Sequence, residues 1–202
     1  MLIVVDNHSC NTGSVINMLK KIGVKAKSSD SAQEIAQAER LILPGVGAFD
    51  TAMLKLNELG LIDVLNERVK EAKVPTLGIC LGMQLLTESS EEGSEKGLGW
   101  IPGQVKKFDL DGNFKIPHMG WNHVKAAKDT PLLTGYDRPP KFYFVHSYHF
   151  NCDDQYIIGT AEYGYNFPCI VGHENILGAQ FHPEKSHKYG MKFLSQFMEH
   201  YK

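Results

Sequence analysis

The chain has 202 residues, 43% of them hydrophobic and 22% charged, with 21 basic side chains against 23 acidic ones and a net charge of −2. That length fits one domain, residues 1–202, whose folding buries about 70% of the unfolded surface. No Lys/Arg run marks a nucleic-acid surface and no apolar run approaches the roughly 20 residues of a spanning helix, so neither nucleic acid nor membrane is an expected partner. The opening Met1-Leu2-Ile3-Val4-Val5-Asp6 has no basic segment and turns polar early, so it reads as a buried strand rather than a signal peptide. Residues 14–22 put Val15, Met18, Leu19 and Ile22 on one helical face, and Gly23 stops them. A weak strand at 24–27 precedes a helix at 31–38, capped by Asp30 or Ser31 with Glu34 three residues beyond Ser31. Leu41-Ile42-Leu43 is a buried strand running into Pro44-Gly45-Val46-Gly47. Helical patterns fill 48–72 with a break near Gly60, and a strand at 76–79 leads into a cysteine and a further helix. Strands alternating with helices predict an α/β fold, a mostly parallel sheet with helices on both faces.

The second half changes character. Residues 89–99 are polar and Gly-rich and read as a surface loop. Strand patterns follow at 104–107, 121–125, 141–145, 156–162, 168–172 and 176–181 without helices between them, which predicts an antiparallel extension on one edge of the sheet. The last helix, 187–201, carries Met191, Leu194, Phe197, Met198 and Tyr201 at core spacing. The four cysteines, Cys10, Cys80, Cys152 and Cys169, form no C-x-x-C pair, which fits free thiols in a reducing cytoplasm.

Cys80 sits in Gly78-Ile79-Cys80-Leu81-Gly82, between the apolar stretch and the helix. Glycines two residues to either side permit the sharp strand-to-helix turn of a nucleophile elbow, and the helix N-terminus favours thiolate. Taken alone, the residue reads equally well as a core thiol, because free cysteines are among the most buried side chains. A cysteine nucleophile needs a base and a group to orient that base. His182 in Gln180-Phe181-His182-Pro183-Glu184 stands just past an apolar strand, where a parallel sheet presents ligand-facing residues, and Glu184 is near enough to orient it. Such a tripeptide by itself is more often a strand-ending turn. Pairing with Cys80 moves the balance to catalysis. Gly45, Val46 and Gly47, with the Leu81 N–H, are candidate oxyanion donors. Neither phosphate-cradling glycine pattern is present, and neither a cofactor nor a metal is expected.

The elbow and the His-Pro-Glu segment resemble those of the class I glutamine amidotransferases. Three further segments are Leu43-Pro44-Gly45-Val46-Gly47-Ala48-Phe49, Pro117-His118-Met119-Gly120-Trp121-Asn122 and Tyr143-Phe144-Val145-His146-Ser147-Tyr148-His149. With them the chain is similar, over nearly its whole length, to the HisH family of glutaminase subunits of imidazole glycerol phosphate synthase. The resemblance implies that Cys80 attacks glutamine, that His182 moves protons and that Glu184 orients His182. It implies that Gly47, Gln84, His146, Ser147 and Tyr148 hold the substrate. It further implies a heterodimer with a HisF-like (βα)8-barrel synthase, with Asn11 and Lys185 near the interface. Ammonia then passes to a nucleotide, giving imidazole glycerol phosphate and a purine precursor (AICAR) in histidine biosynthesis. From sequence alone Lys185 reads equally as a solvated lysine, and residues 143–149 as an aromatic strand without a ligand.

One segment departs from the family. Where the pattern runs Asp-Tyr-Gly-x-Gly-Asn-x-x-Ser-Val, this chain has Asp6-Asn7-His8-Ser9-Cys10-Asn11-Thr12-Gly13-Ser14-Val15, lacking the tyrosine and both glycines. The resemblance places that loop at the partner face, and a paralogous branch supplies ammonia to a synthase of amidino sugars for surface polysaccharides. A stand-alone γ-glutamyl-type cysteine hydrolase is a further reading, separated by independence from a partner. A catalytically dead regulatory subunit is a third, and the intact Cys80, His182 and Glu184 argue against it.

Overall fold

The computed structural model describes residues 1–8 and 10–201. Its first half runs β1 (Leu2–Val5), α1 (Thr12–Lys21), β2 (Ala26–Ser29), α2 (Ala32–Ile35), β3 (Arg40–Gly45), α3 (Phe49–Glu58), α4 (Leu61–Asn66), a π-helical turn (Glu67–Glu71), β4 (Thr76–Cys80) and α5 (Leu81–Gln84). The second half comprises β5 (Ser89–Ser90), β6 (Gln104–Lys107), β7 (His118–His123), β8 (Lys125–Ala126), β9 (Lys141–His146), β10 (Tyr148–Asn151), β11 (Ile157–Tyr163), β12 (Tyr165–His173), β13 (Ile176–Ala179) and α6 (His187–His200).

Eight strands form the main sheet in the order β2-β1-β3-β4-β13-β12-β11-β8. From β2 to β13 the pairing is parallel, and from β13 outward it is antiparallel. Strand periodicity explains the layers: Leu2 and Val4 of β1 enter one core with α1 and α6, while Ile3 and Val5 enter the other with α2, α3 and α4. Helices therefore cover both faces, which makes the central strands apolar throughout rather than alternating.

Local signals hold in the first half, with the weak strand read at 24–27 shifted to Ala26–Ser29. The break near Gly60 is a left-handed residue (φ 65°) between α3 and α4. Ser31 caps α2, its side chain accepting the Glu34 N–H, but that helix ends after one turn at Ile35. The second half departs from a single antiparallel extension. β13 joins the main sheet in parallel beside β4, and only β12, β11 and β8 extend it antiparallel; β5, β6 and β10 form a separate three-stranded sheet, and β7 pairs with β9 in a two-stranded one. Strand patterning locates strands, whereas the choice of partner depends on tertiary packing. Residues 89–99 are also more than a surface loop. Ser89–Ser90 pairs with β6, the Asp50 carboxylate accepts the Ser94 and Glu95 N–H groups at 2.9 Å, and Leu98 is buried. No helix among the described residues is long and apolar enough to cross a membrane.

Candidate active site

β4 lies between β3 and β13, with Gly45 in register with Cys80 and Ala179 in register with Ile79. This order gathers residues far apart in sequence at the carboxyl edge of three neighbouring strands, where open parallel sheets bind ligands. Cys80 ends β4 at φ 54° and ψ −112°, a strained conformation for a non-glycine residue. The flanking glycines are required by contact. A Cβ on Gly82 would stand 1.7 Å from the Leu43 carbonyl oxygen, and one on Gly78 would stand 2.6 Å from the Gly82 carbonyl oxygen. The helix after the elbow, α5, has four residues, shorter than the sequence pattern implies. It offers the elbow first-turn N–H groups rather than a long macrodipole.

His182 is held by its own backbone. Its N–H donates to the Tyr143 carbonyl at 2.9 Å, and its carbonyl accepts the Ser186 hydroxyl at 2.6 Å. Ser186 also accepts the Tyr143 N–H, so this fully buried serine braces β9 against the histidine turn. Pro183 opens a 3₁₀ turn (Pro183–Lys185) that brings Glu184 back under the ring. Nδ1 donates to Glu184 Oε1 at 2.7 Å, and Nε2 is buried without a closed hydrogen bond. Burial, the largest single influence, disfavours the imidazolium. Interaction with Cys80 and with Glu184 outweighs it and raises the His182 pKa to about 10. The closed Glu184 bond is the firm part of that rise, because the thiol completes no hydrogen bond to Nε2.

A cavity of about 320 Å³ opens onto this edge. Cys80, His182, Val46, Gly47, Leu81, Gln84, His146, Ser147, Tyr148 and Lys185 line it, with Glu92 and Pro117. A second cavity of about 210 Å³ adjoins it, lined by Gly45, Cys10, Asn11, His182, Glu184 and Lys185 among others. Three of the four oxyanion candidates therefore reach the larger cavity, and Gly45 instead lies buried in β3 against the smaller one. All five substrate candidates border the larger cavity, though His146 has both ring nitrogens engaged, with His118 and with the Tyr148 carbonyl. Its contribution is shape and orientation. Asn11 and Lys185, both exposed, meet at the smaller cavity. Of the divergent loop, Cys10 joins them there, and Ser9 lies outside the described residues.

Four residues with a part here were not singled out from the sequence. Gln180 donates to Cys80 Sγ at 3.8 Å and accepts from Gln84 Nε2 at 3.0 Å. Glu92 accepts the Phe49 N–H at the first turn of α3 while bordering the cavity. Ser186 and His118 act from behind. Gln180 and His118 had a signal, their places in the His-Pro-Glu and Pro117–Asn122 segments; Glu92 and Ser186 carry none until the elements are assembled.

A thiol at a strained strand-to-helix turn and an imidazole tied to a carboxylate, set at the carboxyl edge of a doubly covered parallel sheet, define an α/β protein of the cysteine-histidine-carboxylate class. The model of the glutamine amidotransferase class-I family matches residues 3–201. Over 200 residues the chain is 50% identical to imidazole glycerol phosphate synthase subunit HisH 2 of Methanococcus maripaludis, and 48% identical to the subunit of that name from Pseudomonas aeruginosa. Each alignment covers 98% of this chain and 99% of the relative. A solved structure titled glutamine amidotransferase superposes with a TM-score of 0.77 at 20% identity, covering 98% of this chain and 97% of the other. The chain belongs to the class I glutamine amidotransferases, in the HisH family.

Proposed function

We propose that residues 1–202 form one glutaminase domain that hydrolyses L-glutamine to glutamate and ammonia, and that a separate (βα)8-barrel synthase uses the ammonia in histidine biosynthesis. The observation that carries the chemistry is the His182–Glu184 bond of 2.7 Å on a cavity shared with Cys80. The Cys80 thiolate attacks the carboxamide carbon. The oxyanion that forms is held by the Leu81 N–H and the Val46–Gly47 backbone. The His182 imidazolium gives its proton to the departing amine, ammonia leaves, and a glutamyl thioester remains. His182 then takes a proton from water, the hydroxide adds to the thioester, and glutamate departs as the thiolate is restored. Glu184 fixes the ring and stabilises its cation. Gly47, Gln84, Ser147 and Tyr148 hold the substrate, and Asn11 and Lys185 lie at the partner face. The chain works in the cytoplasm, with one synthase subunit.

A second reading keeps this chemistry and changes the acceptor to an amidino-sugar synthase. It is favoured by the divergent residue Cys10 standing beside Asn11 and Lys185 at the smaller cavity. One experiment tests both: glutamine hydrolysis by the pure chain, alone and with each co-purified synthase and its nucleotide or sugar ligand. Stimulation by the histidine-pathway barrel supports the first reading, and stimulation by the sugar synthase alone supports the second. Full turnover without a partner overturns both in favour of a stand-alone hydrolase.

A further inference from the structure

The segment Pro117–Asn122 contributes only Pro117 to the cavity, yet its buried side of β7 is polar. His118 is 3% exposed and its Nδ1 stands 2.9 Å from His146 Nε2. Asn122 Nδ2 lies 3.2 Å from His118 Nε2 and 2.8 Å from the Glu162 carbonyl. The alternate positions, Met119 and Trp121, are exposed.

Each link has one donor and one acceptor. The Tyr148 carbonyl only accepts, so His146 Nδ1, at 2.8 Å, carries the hydrogen. Burial keeps His118 and His146 neutral, lowering their pKa values to about 4 and about 3. His146 Nε2 is therefore an acceptor, His118 Nδ1 donates to it, and His118 Nε2 accepts from the Asn122 amide. The Asn122 orientation is fixed in turn, because the Glu162 carbonyl must also receive an N–H and Oδ1 accepts the His123 N–H. At the other end, Gln84 Nε2 donates to the same Tyr148 carbonyl at 3.0 Å and to Gln180 Oε1 at 3.0 Å. That leaves Gln180 Nε2 for Cys80 Sγ.

We propose that His118 and Asn122 are positioning residues for glutamine hydrolysis, acting through His146 on the Tyr148 carbonyl and thence on Ser147, Tyr148 and Gln84 at the cavity wall that receives the substrate. The proposal rests on the glutaminase reading. A carbonyl held by two donors cannot turn, so Ser147 and Tyr148 keep their place at the cavity wall while Gln84 keeps its amide plane. Without His118, a buried acceptor on His146 has no donor, and the ring is free to exchange tautomers and release Tyr148.

His118→Phe tests this. The site already holds aromatic neighbours, Tyr163 stacked at 4.2 Å and Phe144 at 4.9 Å, so the ring is replaced while both polar links vanish. The chain is assayed with its synthase subunit. The glutamine KM should rise about tenfold, the equivalent of one hydrogen bond, with a smaller fall in kcat. Alkylation of Cys80 by a glutamine-shaped chloroketone should slow by the same factor, and alkylation by iodoacetamide should not. His118→Gln, which offers both a donor and an acceptor, should recover most of the loss. Wild-type KM and chloroketone rate in folded His118→Phe overturn the proposal, as does an equal loss in His118→Gln. If His118→Phe does not fold, Asn122→Leu decides: a raised KM supports the relay and an unchanged one overturns it. A wild-type complex that neither hydrolyses glutamine nor reacts with the chloroketone defeats the glutaminase reading itself.

Discussion

Replacing Gly82 by alanine should collapse the elbow without touching a reacting atom. The added Cβ would lie 1.7 Å from the Leu43 carbonyl oxygen and 2.8 Å from its carbon. An ordinary C–H···O approach is roughly 3.3–3.6 Å, so α5 and the end of β3 must separate by roughly 1.6–1.9 Å. Neither side can yield as a side chain would. The obstacle is backbone, and it belongs to a strand locked in register with β4 from Leu41 to Gly45. Overpacking a core typically costs 1–3 kcal/mol, and displacing two paired elements belongs at the upper end, about 3 kcal/mol or more. For a chain of this size, that lowers Tm by roughly 6–12 °C. Thermal denaturation followed by circular dichroism measures it, with Gly112→Ala as a control. No atom lies within 4 Å of that control Cβ. Gly82→Ala should also change Cys80 alkylation, because the Leu81 N–H and the sulfur move together. A Gly82→Ala protein melting within about 2 °C of wild type, with an unchanged thiol reaction rate, would refute the close-packing argument for the elbow.

Cys80→Ala should abolish glutamine turnover and, because the charge of Cys80 helps raise His182 to about 10, should lower that pKa. Histidine NMR titration of the variant measures it, and an unmoved value means the two groups are uncoupled. Glu184→Gln should lose activity too, but about 100-fold less than Cys80→Ala, as expected of an orienting group beside a nucleophile. Equal losses by steady-state kinetics would place Glu184 in the reaction itself. Stability should fall on both sides of neutrality. His118 and His146, lowered to about 4 and about 3 by burial, take up protons in the unfolded chain first, so their contribution is complete above about 6.5 and is lost as pH falls. At pH 5 the two together cost roughly 4 kcal/mol. His182 is raised, so its contribution is complete below about 6.5 and is lost as pH rises toward 10. Urea denaturation across pH 4–10 tests both limbs, and a flat acid limb would contradict the neutral, buried state of the histidine pair.

Much of this was legible in the chain. Cys80 between Gly78 and Gly82 announces a strained turn, because only residues without a Cβ tolerate backbone at such distances. The alternation of apolar strands and amphipathic helices up to Gln84 announces a doubly covered sheet, because each element carries its own period. What was not legible lies where partner choice governs. Strand patterns at 104–107 and 141–145 are correct, yet nothing in them says that β6 and β9 leave the main sheet. Residues 89–99 look polar, yet Glu92 accepts the Phe49 N–H at the α3 terminus and Asp50 of that helix accepts the Glu95 N–H, a use of charge that composition alone cannot separate from solvation.

The sequence by itself determined the candidate reacting groups and the local geometry each requires. Elbow glycines, a His-Pro-Glu turn and short segment spacing are local properties, and they carry the family resemblance with them. The tertiary structure alone decided that β13 lies beside β4, which sets Gln180 and His182 next to a cysteine about a hundred residues away. It alone decided that β7 pairs with β9 in the register that joins His118 to His146. The reason is physical: residue type and period act within one element, whereas register and hydrogen-bond direction exist only between elements.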